Sequence, residues 1–291
     1  MANRSGVGVS LIVATLGRTE ELGRLLESLH AQTYTNIEIL VVDQNTDDRV
    51  ARVLSDVGQG LNVKHVRSAR GLSRARNVGL GLSVGEIVGF PDDDCWYEPS
   101  LLGRLVSVFD NCPSLAGVVG RCVDRNGRSP ARYGTRAGPL GRFNVWTRGT
   151  PSPSIFLRRR ALEHVGSFDE QLGVGADSPY QSGEETDLLV RLLRGRAEIR
   201  CDPKLRINHE DYVHTFDANT CRRARAYGRG LGRVLKKNGY PSWFAVYVIS
   251  RPVVASLLSL GKLDLRKAEY YLNSFAGRVT GWLGGWHIFA S

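Results

Sequence analysis

Close cysteine pairs are missing from this chain. Its five cysteines stand at 95, 112, 122, 201 and 221, none with the short spacing of a zinc site, and their number is odd. A structural zinc centre and a disulfide framework are therefore set aside, and reduced, mostly buried thiols of a cytosolic protein are expected. Long uninterrupted apolar runs are also lacking. Residues 7–14 are too few for a secretory leader and are broken by Ser10. The other apolar stretch, 242–260, holds Arg251 and Pro252 at its middle, which argues against a full membrane span. Acidic residues are scarce in one region only. From 218 to 291 the chain has 12 basic and 2 acidic residues, a net of +10, and the whole chain has 39 Lys+Arg against 29 Asp+Glu, also +10. Residues 1–217 thus hold 27 of each sign and balance to zero. The basic excess belongs to the tail and points to an anionic surface there, membrane or nucleic acid.

What is present suffices for a large core: 291 residues, 42 % of them apolar. The 33 glycines suit a fold with many tight strand-to-helix turns. Residues 8–14 (GVSLIVA), 37–42 (IEILVV), 61–66, 86–90 (EIVGF) and 117–123 read as buried strands. Helical patterns lie between them. Leu22, Leu25, Leu26 and Leu29 form one apolar face behind a Thr19 cap with Glu20 and Glu21 in the first turn, and 48–57, 73–84 and 101–109 also read as helices. Apolar strands alternating with helices predict an α/β fold, a Rossmann-like, mostly parallel sheet flanked by helices.

Beyond this the signals are looser. Composition makes 124–150 a long loop, 155–157 an edge strand, 160–165 a turn or two of helix, 172–183 a glycine-rich loop, 184–194 a helix and 205–208 a short last strand. Helices over 220–237, 242–260 and from 264 onward complete the chain. The expected division is a catalytic domain over 1–215 and a helical appendage over 216–291.

In open parallel sheets ligands bind beyond the carboxyl ends of the strands, and polar residues gather at those ends here. Thr15 and Arg18 follow the first strand, Asp43 the second, and Asp92, Asp93 and Asp94 the fourth. In the extended segment FPDDDCWYEP (90–99), Asp92 and Asp94 share one side and Asp93 takes the other. Two carboxylates on one side make a hard oxygen site for Mn²⁺ or Mg²⁺; a solvated acidic turn is the plain alternative. Arg70, Arg74 and Arg76 open a helix in RGLSRARNVG (70–79), an arrangement suited to pyrophosphate or to an exposed basic face. Glu184 and Glu185 head the helix at 184–194, where they serve the helix dipole or supply a general base. His209, in RINHE, is a surface residue or a metal ligand, and His214 is a weaker candidate of the same kind.

From about 7 to 209, in this order, VSLIVATLGR, VVDQN, RGLSRARNVG, FPDDD, SGEETDLLVRLLRG and NHE resemble the second family of glycosyltransferases, which has the GT-A fold. The resemblance implies a nucleoside-diphosphate-sugar donor. By it, Thr15 and Asp43 touch the nucleotide, Arg70, Arg74 and Asn77 lie along the base and diphosphate, and Arg18 and Asp93 belong to the same donor-binding group. Asp92 then faces the ribose or a metal-bound water, Asp94 binds the metal, and His209 helps to hold metal or diphosphate. The family usually has Glu-Asp where this chain has Glu184 and Glu185; Glu185 takes the position of the catalytic base with one methylene more. The Gln-x-x-Arg-Trp segment of processive synthases is absent, the corresponding region reading LVRLLRGR, so a single transfer is implied; the mechanism expected for it is an inverting single displacement.

The tail adds an expectation about place. Arg222, Arg223, Arg225, Arg229, Arg233, Lys236 and Lys237 crowd one helix, and Trp243, Phe244, Tyr247, Trp282 and Trp286 supply aromatics. Basic and aromatic helices that do not span suit an interfacial anchor. A peripheral association with the cytoplasmic face of the inner membrane and a glycan or lipid-linked glycan acceptor are expected. Helices packing on the catalytic domain are the alternative. A nucleic-acid-binding protein is disfavoured because the strand-end acids have no part in it, whereas a nucleotidyltransferase on a similar sheet shares the need for metal-binding acids.

Overall fold

The computed structural model describes residues 8–129, 135–209 and 215–284; His214 and Trp286 lie outside the described residues. The chain packs as two units. The first comprises Met1–Arg70, Arg74–Ser167 and Leu188–Tyr212, and the second Gly71–Ser73, Phe168–Asp187 and Val213–Ser291.

The first unit is an α/β sandwich. Elements β1 (Val9–Thr15), α1 (Glu20–His30), β2 (Ile37–Asp43), α2 (Arg49–Val57), β3 (Val63–Arg67), α3 (Leu72–Leu82) and β4 (Ile87–Gly89) alternate along the chain. Strands β3, β2, β1 and β4 lie side by side in parallel, with Thr15 opposite Asp43 in register. After β5 (Cys95–Tyr97), α4 (Leu101–Asn111), β6 (Gly117–Val123), β7 (Gly138–Pro139), α5 (Val145–Arg148), β8 (Ile155–Arg158), α6 (Arg159–Glu163), α7 (Glu184–Arg194) and β9 (Ile199–His209), the sheet order is β3-β2-β1-β4-β8-β6-β9-β5, with β7 also on β9.

The second half of the sheet is mixed. Strand β8 runs antiparallel to both β4 and β6, so residues 155–158 form an interior strand and not the edge strand expected; all four are buried. Its apolar side chains are covered from both faces, which edge position would not require. The last strand is longer than 205–208. Strand β9 pairs with β6 in two stretches, Ile199–Cys201 and Arg206–Asn208, with a register shift between them. Asp202, Pro203 and Lys204 occupy the shift, and Lys204 N donates to Asp202 Oδ1 at 2.9 Å, an irregularity that reads locally as a turn.

Alternate residues of β1 serve the two faces. Val9, Leu11 and Val13 join one core with Leu22, Leu25, Leu26 and Leu29 of α1 and Leu101, Leu102, Leu105 and Phe109 of α4. Each buried leucine contributes roughly 1.5–3 kcal/mol. Ile12 faces the other side, where a Cβ at Gly79 of α3 would collide with it. A buried acid locks the far end of the sheet. Glu38 Oε1 accepts from Ser10 Oγ and from the backbone N–H groups of Val84 and Gly85, while Lys64 Nζ reaches Oε2 at 2.9 Å. Burial alone would raise the Glu38 carboxyl, but these donors outweigh it and hold it at about 2.

In the second unit, α8 (Ala218–Lys237), α9 (Ser242–Leu260) and α10 (Leu265–Leu283) follow a glycine-rich segment. Asp217 and Thr220 form a capping box at the start of α8, with Thr220 N 2.7 Å from Asp217 Oδ1. Helices α8 and α10 meet backbone to backbone. A Cβ at Gly277 or Gly281 would strike the carbonyl of Arg225 or Arg229, and one at Gly228 or Gly232 would strike the carbonyl of Ser274 or Arg278. Two glycines four apart on each helix make this close approach sterically possible.

Candidate functional site

Strand pairing assembles the acidic cluster. Ala14 at the end of β1 forms a parallel bridge with Asp92, which places the acids at the carboxyl end of the sheet. Strand β5 then pairs antiparallel with the end of β9, setting Cys95 opposite His209. The local sequence supports this: Pro91 stops β4, and CWY alternates buried, half-buried, buried as a strand against a core does.

Asp92, Asp94 and His209 each offer one ligand atom, and those atoms lie within 4.8 Å of one another. His209 Nε2 is 3.2 Å from Asp94 Oδ1. That buried oxygen accepts no well-aligned hydrogen bond from any described residue. Two carboxylates and an imidazole with an unsatisfied buried oxygen fit a divalent cation such as Mn²⁺ or Mg²⁺. Arginines balance the cluster. Arg18 Nη1 stands 2.5 Å from Asp93 Oδ1 and 2.7 Å from Asp94 Oδ2. Arg76, only 2 % exposed, brings Nη2 to 3.2 Å from Asp92 Oδ1.

The three acids differ in character. Crowding by protein raises the Asp92 carboxyl to about 6 despite Arg76, with Asp94 pushing the same way. A third of its side-chain surface is nonetheless open. Burial also raises Asp93, with Arg18 opposing. For Asp94, burial is outweighed by His209 and Arg18, and its carboxyl lies below the usual range.

The other donor-side residues are placed differently. Thr15 and Asp43 are fully buried. Asp43 Oδ1 accepts from Asn45 N and Nδ2, both at 2.8 Å, and Oδ2 is 3.0 Å from His65 Nε2 and 3.1 Å from Arg67 Nη1. Both oxygens are occupied by protein, so His65 and Arg67 of β3 stand around an acid the sequence reading assigned to the nucleotide. Arg70 is exposed, and Arg74 and Asn77 are partly buried on α3. Arg76, which local pattern did not separate from its two neighbours, is the arginine of this motif that touches the acidic cluster.

Glu184 and Glu185 lie in the second unit, in the first turn of α7. Gly183, with φ +90°, leads into them, and its missing Cβ leaves room for Val234 and Gly230 of α8. Glu184 is buried, its carboxylate against Gly173 of the 172–183 loop; Glu185 is more accessible. Ser73 Oγ donates to Leu172 O at 2.6 Å and pins that loop. Helix α8 holds the turn from the other side: Ser182 Oγ donates to Tyr227 O at 2.7 Å. Burial, with Glu184 and Glu185 adding to it, raises the Tyr227 phenol against the pull of Arg223, whose Nε donates to the hydroxyl at 3.0 Å. One turn on, fully buried Asp187 accepts from Lys237 Nζ and Asn238 Nδ2, each at 2.9 Å, and Lys237 also meets Asp169 at 2.7 Å. Asp187 carries no local signal of this role, because its partners Lys237 and Asn238 lie 50 and 51 residues further along the chain.

The family model described as Glycosyl transferase family 2 matches residues 10–166, more than half of the chain. The chain belongs to glycosyltransferase family 2. Among relatives of this family 2 enzyme, the glucosyl-dolichyl phosphate glucuronosyltransferase of Haloferax volcanii is 28 % identical over 225 residues, covering 72 % of each chain. The pre-mycofactocin glycosyltransferase of Mycobacterium tuberculosis is 30 % identical over 229 residues, which are 72 % of this chain but 44 % of that one. The chain therefore spans less than half the length of that relative. Among solved structures, the mannosyltransferase PcManGT from Pyrobaculum calidifontis, in complex with GDP-Man and Mn²⁺, aligns with a TM-score of 0.65 at 17 % identity, over 95 % of this chain and 88 % of that one. S. aureus TarS 1–349 in complex with UDP-GlcNAc aligns with a TM-score of 0.59 at 18 % identity, over 97 % and 93 %. These likenesses identify the fold of this glycosyltransferase as GT-A.

Proposed function

We propose that this glycosyltransferase moves one sugar from a nucleoside-diphosphate donor to an acceptor hydroxyl, with inversion and with help from a divalent cation. The observation that carries the reading is the convergence of Asp92, Asp94 and His209 at the carboxyl end of the sheet. Asp92, Asp94 and His209 would hold a Mn²⁺ or Mg²⁺ ion, which would supply positive charge to the departing diphosphate. Arg18 and Arg76 restrain the acids that hold the ion. Donor contacts are proposed for Arg18, Arg70, Arg74, Asn77, Asp92 and Asp93, while buried Thr15 and Asp43 act from behind, Asp43 through Asn45, His65 and Arg67. Glu185 accepts the proton of the acceptor hydroxyl as its oxygen attacks the anomeric carbon from the face opposite the leaving group. Glu184 holds the loop against which it packs. The known complexes of similar fold with GDP-Man and Mn²⁺ and with UDP-GlcNAc support a nucleotide-sugar donor.

The acceptor is a lipid-linked glycan, in the assembly of a cell-surface or exported polysaccharide. The name of the Haloferax volcanii relative, which contains a dolichyl phosphate, supports this. Such an acceptor puts the enzyme at the cytoplasmic face of a membrane as a peripheral protein. The test is a thermal-shift screen of UDP, GDP, CDP and ADP with and without Mn²⁺. A nucleoside diphosphate that raises Tm only with the cation is the expected result; no response to any nucleotide, with or without Mn²⁺, would overturn the reading.

A further inference from the structure

The solvent-facing side of α9 carries large apolar side chains near both ends, with Ser250 and Arg251 between them. Trp243, Val246, Val254, Leu257 and Leu258 are each 58–66 % exposed, and Tyr247 is 48 % exposed. They lie 3, 4, 11, 14 and 15 residues after Trp243, which puts them on one face of the helix. The opposite side is buried, with Phe244, Val248 and Ser256 facing inward. A helix on a protein surface ordinarily turns a polar stripe outward; this one turns mostly large apolar side chains outward.

Length and composition would let α9 cross a membrane, but 39 % of its apolar window is buried in the protein. Arg278 Nη1 donates to Val248 O at 2.6 Å, and Ser256 Oγ to Ala268 O at 3.0 Å. A spanning α9 would give up these bonds to α10. The helix is instead fixed lengthwise with its apolar stripe outward, a geometry for lying in an interface and not for crossing it.

The charges bordering the stripe choose between occupants. Arg251 stands at its edge, Lys262 and Arg266 follow its C-terminal end, all three exposed, and α9 contains no Asp or Glu. A second copy docked through the same stripe would bring like charges together with no carboxylate on either helix to meet them. Anionic headgroups supply that counter-charge, and Trp243 and Tyr247 are side chains that settle at headgroup depth.

We infer that the exposed stripe of α9 is the membrane-docking surface of this enzyme, inserting into the outer part of an anionic leaflet while Arg251, Lys262 and Arg266 meet its phosphates. The inference rests on the peripheral reading above and adds to it the face that makes contact.

The experiment is sedimentation of the full chain with vesicles of phosphatidylglycerol and phosphatidylcholine in equal parts, and with pure phosphatidylcholine. The wild-type chain should sediment with the anionic vesicles. The triple variant Val254→Gln, Leu257→Gln, Leu258→Gln should lose at least about tenfold in partition coefficient, because burying each aliphatic side chain is worth about a factor of ten. Its Tm should be unchanged, since all three side chains are exposed. Arg251→Gln with Lys262→Gln and Arg266→Gln should erase much of the preference for anionic over neutral vesicles. Equal sedimentation of wild type and triple variant would overturn the inference and leave the peripheral reading standing. A wild-type chain that binds neither vesicle would overturn both. A wild-type dimer in analytical ultracentrifugation that the triple variant converts to monomer would assign the stripe to a second copy.

Discussion

His209 Nε2 faces Asp94 Oδ1 at 3.2 Å, from the last residue of β9 to the turn before β5. The pair depends on Cys95 and His209 standing opposite in register, so the candidate cation ligands come together from strands more than 100 positions apart in the chain. Asp94→Asn should weaken Mn²⁺ binding in the presence of nucleoside diphosphate by about a hundredfold, and His209→Ala by about tenfold, read by calorimetry or Mn²⁺ paramagnetic resonance. Undiminished Mn²⁺ affinity in both variants would remove the cluster as a metal site.

The two glutamates of α7 can be separated by kinetics. Glu185→Gln should keep donor binding while turnover falls by about 10²–10⁴, the usual scale for losing a general base. Glu184→Gln, at a carboxylate packed against Gly173, should act more on the stability of the 172–183 loop than on the chemical step. Normal turnover in Glu185→Gln with collapse in Glu184→Gln would place the base one residue earlier.

Much of this was legible locally and some was not. The run IEILVV, the four leucines of α1 and the apolar side of 184–194 each carry their period in a short window, and the structure has β2, α1 and α7 there. The acids at 92–94 were conspicuous because a proline halts a buried strand just before them. Strand β5 escaped notice: three residues long, it exists through its pairing with β9. Pro203, which has no N–H to give a ladder, hid the first half of β9. The burial of Arg76 also depends on partners distant in sequence. Its local pattern matched those of Arg70 and Arg74, and only the position of Asp92 sets it apart.

Glu38 makes a pH prediction. Its folded-state carboxyl is held at about 2, below an ordinary value of 4.5. A depressed carboxylate stabilises the fold above the unfolded value, and that stability is lost as pH falls through the folded one. Glu38→Gln should therefore cost about 2 kcal/mol at neutral pH, the scale of hydrogen bonds to a buried charge. Lys64 is exposed and adds little. The difference between variant and wild type should shrink as pH falls from about 4.5 towards 2, measured by urea unfolding across that range. A pH-independent difference would mean that the donors recognise shape and not charge.

The glycine contacts between α8 and α10 predict a large response to a small change. Gly277→Ala or Gly281→Ala forces a methyl into a carbonyl of α8 and should cost about 2–3 kcal/mol, within the range for overpacking. Gly81→Ala is the control, since a Cβ there meets nothing within 4 Å; it should be neutral or stabilising by up to about 1 kcal/mol. Thermal melts of the three variants decide it, and equal Tm for all three would mean that the helices can separate freely.

Gly230 presses on Ser182 so closely that a Cβ would meet its carbonyl. Cutting the chain before α8 to obtain a minimal soluble enzyme would thus remove the buttress under the turn that carries Glu184 and Glu185, and leave Asp187 stranded without Lys237 and Asn238. Solubility is better sought by repainting the outside of α9 than by amputation, because the last quarter of the chain props the turn that carries Glu184 and Glu185.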